Sequence, residues 1–163
     1  KSFLEKTGLD AIGDSDIKTA KEIWRENQRI IEGMPDLVRR VKEQRYRTAA
    51  LTNTGKEWLE FKREKFGLNE LFDLIVCSFE EQIGKPNPRI YQIFLERAEV
   101  EGSECLYIDN VGRNLPPAQK LGMQTIEFGV YVNRSEATQN RILDPQASQL
   151  KLEEQFREKG ILK

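Results

Sequence analysis

Leu51-Thr52-Asn53-Thr54-Gly55-Lys56-Glu57-Trp58 decides how this chain is read. The short apolar stretch from Thr48 to Leu51 stops abruptly on hydroxyl and amide side chains, and helical spacing resumes from Lys56 to Phe66. Hydroxyls and amides fill a core poorly. At the carboxyl end of a strand they are well placed to hold an oxyanion. The stretch reads as strand, anion-holding turn and helix.

Working outward, the same alternation repeats. Upstream, Ile17, Ala20, Trp24 and Ile31 recur at helical spacing, with Ser15 or Asp16 as N-cap. Gly33-Met34-Pro35 breaks that helix and starts a second one that turns Leu37, Val38 and Val41 inward. Downstream, Leu74 to Cys77 reads as a strand, and Asn87-Pro88 caps an amphipathic helix through Ile90, Ile93, Phe94 and Ala98. Cys105 to Ile108 and Gln124 to Phe128 read as strands, separated by a helix that Gly122 stops. Short apolar strands alternating with helices of about ten residues specify a parallel α/β sheet covered on both faces. From about Asn133 the tail turns polar, with a last helix over Pro145 to Glu158 expected at the surface.

Composition narrows the chemistry. The 163 residues suit one domain with a small appendage. Lysine plus arginine total 26 and aspartate plus glutamate 27, a net charge of −1 that gives no field to gather nucleic acid or an anionic membrane. The absence of histidine excludes imidazole triads and imidazole metal sites, leaving carboxylates, lysine, hydroxyls or a hard metal. Cys77 and Cys105 sit in apolar runs and read as buried thiols, which suits a reducing, cytoplasmic setting. No apolar run reaches the roughly 20 residues of a membrane span. The chain opens on Lys1 rather than methionine, which reads as a start that was removed or never sequenced.

Three polar clusters follow the strand ends: Thr52 with Asn53, Lys85 before the Asn87-Pro88 helix, and Asp109 with Asn110. Taken singly, Thr52 is equally read as a helix cap, Lys85 as a solvated loop charge and Asp109 as a turn residue. Together they suit a phosphate and a divalent cation. The lysine offsets anionic charge, the hydroxyl and amides orient oxygens, and the carboxylate fixes magnesium.

Their order and spacing also resemble a known family. "ALTNTG" (50–55), "GKPNPRIYQIFLERA" (84–98) and "CLYIDNVGRNLPPAQKLGMQTI" (105–126) resemble motifs II, III and IV of the haloacid dehalogenase (HAD) superfamily. The nearest likeness is to the phosphatase-type domain at the N-terminus of bifunctional epoxide hydrolases. The resemblance runs from about Met34 to Phe128. It implies a HAD-like, Rossmann-like three-layer fold in which Thr52 and Asn53 hold the phosphoryl group and Lys85 neutralises it. Asp109 and Asn110 would occupy the Mg2+ position, and Asn114 would be the supporting asparagine. Residues 1–33 would be part of a small helical cap, 34–130 the core, and 131–163 a tail with a surface helix. The implied activity is magnesium-dependent hydrolysis of small phosphorylated metabolites through an aspartyl-phosphate. The implied partner is the small phosphorylated substrate, without nucleic acid or membrane, and a partner chain is one source of the strand missing from the pattern.

Two features depart from the family pattern. Its first, central strand ends in Asp-x-Asp, whereas the only Asp-x-Asp here is Asp14-Ser15-Asp16, preceded by Gly8 to Gly13 without an apolar run. That triplet reads as a helix cap, so the nucleophile and the first strand are expected to be absent from this chain. The strands ending near Leu51 and Ile108 should then stand about two strand spacings apart, roughly 9 to 10 Å, or receive a strand from another chain. Direct pairing at roughly 4.8 Å would mean a rebuilt sheet. Secondly, Asn110 stands where a metal-binding carboxylate is usual, which weakens hard-cation affinity unless Asp109 substitutes. The sequence thus supports the C-terminal portion of a hydrolase, inactive alone, or a degenerate HAD-fold binding or regulatory module. A haloacid dehalogenase proper is a weaker third reading.

Overall fold

The computed structural model describes residues 13–133 and 141–163. The stretch Gly8 to Ile12 and the first part of the expected cap lie outside these. The chain divides into two compact units, Lys1–Ile30 and Ile31–Lys163. Within the first, α1 (Asp14–Asn27) starts after Gly13, whose amide donates to the Asp16 carboxylate at 3.0 Å. Gly13 is therefore the N-cap, in place of Ser15 or Asp16. The Asp16 side chain nevertheless serves the helix start, consistent with a capping triplet.

The second unit opens with α2 (Met34–Glu43), entered through Gly33 at φ 79°, a left-handed conformation that glycine adopts without strain. Next come β1 (Ala49–Thr52), α3 (Lys56–Phe66), the single turn α4 (Leu68–Leu71) and β2 (Leu74–Cys77). After the short α5 (Ser78–Glu81), α6 (Pro88–Ala98) begins on Asn87, whose side chain accepts from the Arg89 amide at 3.0 Å, as its sequence signature requires. A 3-10 turn leads to β3 (Leu106–Asp109), a second one to α7 (Leu115–Lys120), and β4 (Gln124–Glu127) follows.

The strands pair in parallel as β1 with β2 and β3 with β4, with Thr52 opposite Cys77 and Asp109 opposite Glu127. Among the described residues β1 and β3 do not pair with each other, so the sheet has not been rebuilt around a direct contact. One apolar cluster joins Val76 of β2, Ile90 and Tyr91 of α6, Ala118 of α7 and Met123, and Leu51, Leu74 and Tyr107 from both strand pairs pack against it. The other, Leu37, Ile126, Leu152, Phe156 and Leu162, packs α2 and the last helix against β3 and β4. Helices on both faces of parallel strands make an α/β, Rossmann-like fold.

Two expectations for the C-terminal region are corrected. Val130–Asn133 (β5) pairs antiparallel with Arg141–Asp144 (β6), where a polar tail was expected. The helix α8 (Pro145–Glu158) is not merely a surface helix, because Leu152 and Phe156 are buried in the core. Its apolar residues are too sparse to announce that face. Cys77 and Cys105 are free, but only Cys77 is fully buried. No described helix is long and apolar enough to cross a membrane.

Candidate active site

Strand geometry carries the key side chains to one rim. Thr52 and Asp109 are the last residues of β1 and β3, at the carboxyl ends where open parallel sheets collect ligands. Just past Thr52, the Asn53 amide clamps the main chain of Lys85. Its Nδ2 donates to the Lys85 carbonyl at 2.8 Å, and its Oδ1 accepts from the Lys85 amide at 2.8 Å. The neighbour Gly84 allows this approach, since a Cβ there would lie 3.0 Å from Asn53 Oδ1.

Held in this way, Lys85 sends its Nζ to Asp109 Oδ2 at 2.7 Å. Both side chains are withdrawn from water, Lys85 at 12 % exposure and Asp109 at 5 %. The Oδ2 atom also accepts from the Tyr107 hydroxyl at 2.5 Å and from Asn114 Nδ2 at 3.0 Å, while Oδ1 accepts from the Val111 amide at 2.8 Å. Burial opposes ionisation of Asp109. The hydrogen bonds from Lys85, Tyr107 and Val111, with the Lys85 charge, outweigh it and hold the carboxyl below its ordinary value. Burial, reinforced by the bond to Asp109, pushes the Tyr107 phenol well above its ordinary value, so it remains a neutral donor.

The rim thus joins Asn53, Lys85, Asp109 and Asn114 through direct hydrogen bonds. Thr52 is adjacent in the chain and half-buried, and Asn110 is exposed; neither side chain hydrogen-bonds to this group. Tyr107 escaped the sequence reading. It lies two residues before Asp109, so strand alternation puts both side chains on one face. Its ring also stands edge-on to Tyr91, centroids 5.5 Å apart, and Tyr91 donates to the Asn114 carbonyl at 2.8 Å.

The donor set does not fit the magnesium expected at Asp109. Three donors crowd Asp109 Oδ2, and one meets Oδ1, which keeps one acceptor position. Mg2+ demands octahedral oxygens and keeps several waters, which a carboxylate at 5 % exposure with an ammonium at 2.7 Å does not accommodate. Asn110 contributes only a neutral oxygen. Among the described residues no three Asp, Glu, His or Cys side chains gather as a metal-holding group.

The family model for haloacid dehalogenase-like hydrolases matches residues 2–122. Acyl-CoA dehydrogenase family member 10 of Mus musculus is 34% identical over 131 residues, 77% of this chain and 11% of that protein. Bifunctional epoxide hydrolase 2 of Sus scrofa is 31% identical over 93 residues, 53% of this chain and 16% of that protein. The chain therefore spans only a small part of the length of these relatives. Among solved structures, a HAD family enzyme from Bacteroides thetaiotaomicron in complex with magnesium and inorganic phosphate superposes with TM-score 0.66. It is 22% identical, and the superposition covers 83% of this chain and 71% of that one. The shared fold is the parallel, Rossmann-like α/β arrangement described above.

Proposed function

The chain belongs to the haloacid dehalogenase-like hydrolases, and from that premise we propose that it is the C-terminal portion of a phosphatase acting on small phosphorylated metabolites. The observation that carries this reading is the Asn53 clamp on Lys85, which holds a nearly buried ammonium at the strand-end rim. Thr52 and Asn53 would orient phosphoryl oxygens, and Lys85 would offset the charge that develops on them. Asn114 and Tyr107 would keep Asp109, and through it Lys85, in position. Functional kin would include the phosphatase-type domain of bifunctional epoxide hydrolases.

The reaction class is in-line attack by a carboxylate on phosphorus, forming an aspartyl-phosphate that water then cleaves. Asp16 is engaged at the start of α1, which supports a nucleophile supplied from outside these 163 residues. The first edge of β1 and that of β3, which have no strand partner among the described residues, would receive the strand that bears it, from upstream sequence or a partner chain. Magnesium, expected of the intact enzyme, would need ligands other than Asp109.

Hydrolysis of p-nitrophenyl phosphate tests the reading. The present chain should give no turnover, and a protein extended upstream by an apolar strand ending in Asp-x-Asp should give it. Turnover by the 163 residues alone would refute the external nucleophile. The lysine-paired Asp109 and the neutral Asn110 favour one second reading, a binding or regulatory module without catalysis. An upstream coding sequence without the Asp-x-Asp strand would decide for it.

A further inference from the structure

We propose that Lys85 is the standing counter-ion of Asp109 and keeps divalent cations off this carboxylate. The inference rests on the chain's own geometry rather than on the phosphatase reading. Lys85 Nζ sits 2.7 Å from Asp109 Oδ2, where a bound cation would otherwise neutralise the carboxylate. It is not a passing surface contact, because three features hold it there. The Asn53 amide fixes the Lys85 main chain with two hydrogen bonds of 2.8 Å. The Tyr107 ring lies beneath the ammonium, with Nζ 5.8 Å from its centroid. Both charged side chains are almost out of water, where Coulombic attraction is poorly screened.

A divalent cation arriving at Asp109 would have to displace the ammonium or sit beside it. Displacement strands a buried positive charge; coexistence sets like charges side by side. The Tyr107, Asn114 and Val111 donors meet the carboxylate without bringing any charge. Lys85 is therefore the one member of the shell whose charge repels a metal, and removing that charge should open Asp109 to one.

Mn2+ titration of the 163-residue chain tests this, followed by electron paramagnetic resonance of the free ion and by paramagnetic broadening of the Val111 amide resonance. Wild type and Asp109→Asn should show the same weak background, without selective broadening at Val111. Lys85→Met should gain a single Mn2+ site at least about tenfold tighter than background, the scale on which neighbouring groups tune metal sites. Lys85→Met combined with Asp109→Asn should abolish that gain. Lys85→Gln, which keeps a hydrogen-bond donor, gives the same readout should Lys85→Met fail to fold by circular dichroism. A wild-type Mn2+ site that broadens Val111 and is lost in Asp109→Asn would overturn the proposal. A folded Lys85 variant without gained binding would overturn it equally. Neither outcome bears on aryl phosphate turnover, so this inference and the proposed function fail separately.

Discussion

Asp109 and Glu153 are both buried carboxylates met by several donors, and they are built for different ends. Glu153, on α8, accepts from Arg40 of α2 at 2.7 Å, from Gln149 at 3.1 Å and from Arg157. Its cations stand largely in water, Arg40 at 40 % and Arg157 at 53 % exposure. Asp109 faces a lysine only 12 % exposed, at the end of a strand rather than between two helices. Glu153 joins two helices at small desolvation cost, since its partners keep their hydration. The Asp109 pair gives up the hydration of both charges, a cost that structure alone rarely justifies. Such expenditure at a strand-end rim marks the place where chemistry is expected.

The contrast can be broken most directly at Asp109. Asp109→Ala strands the Lys85 ammonium and removes the acceptor of four donors, and should cost about 3 to 5 kcal/mol, the range for breaking a buried pair from one side. Urea unfolding at neutral pH reads this, and a loss below about 1 kcal/mol would remove the distinction from Glu153. Glu153→Gln should cost less, about 1 to 2 kcal/mol, because an acceptor oxygen remains and the arginines return to water. Salt sharpens the comparison: added NaCl should shrink the Glu153→Gln penalty and leave the Asp109→Ala penalty nearly unchanged.

The smallest effect concerns pH. Hydrogen bonding from Arg40 leads the causes that hold the Glu153 carboxyl below its ordinary value, and Asp109 is likewise lowered. Both groups therefore bind fewer protons folded than unfolded. Their contribution is fully present above the unfolded values near about pH 4 and is lost as pH falls through the folded ones. The stability difference between wild type and Asp109→Asn should accordingly be constant from pH 7 to about 5 and shrink below about 4. A difference that grows on acidification would reverse the assigned direction.

Much of this molecule is legible in one dimension. The Asn87-Pro88 cap, the glycine at position 67 that ends α3 with φ 62°, and the strands around Leu51, Val76, Ile108 and Ile126 appear within a residue or so of their expected places. They obey local rules, whether capping, left-handed glycine or an apolar run. The buried face of α8 was not legible, because its apolar residues are few and gain their burial from β3 and β4, distant in sequence, and the β5–β6 pairing was not, because the register of two antiparallel strands is set by which segments meet. At the rim, Lys85 and Asp109 could be nominated by type and position. The Asn53 clamp and the Tyr107 donor could not, since a side chain's hydrogen-bond partner depends on which strand ends meet.

The sequence by itself determined an alternating parallel α/β chain and the residue types at its strand ends, because backbone propensity and apolar periodicity act over a few residues. Only the tertiary structure decided that the ammonium of Lys85 pairs with Asp109 out of water. Desolvation and hydrogen-bond partnership are properties of groups brought together from positions 53, 85, 107, 109, 111 and 114, and no local pattern encodes which of them meet.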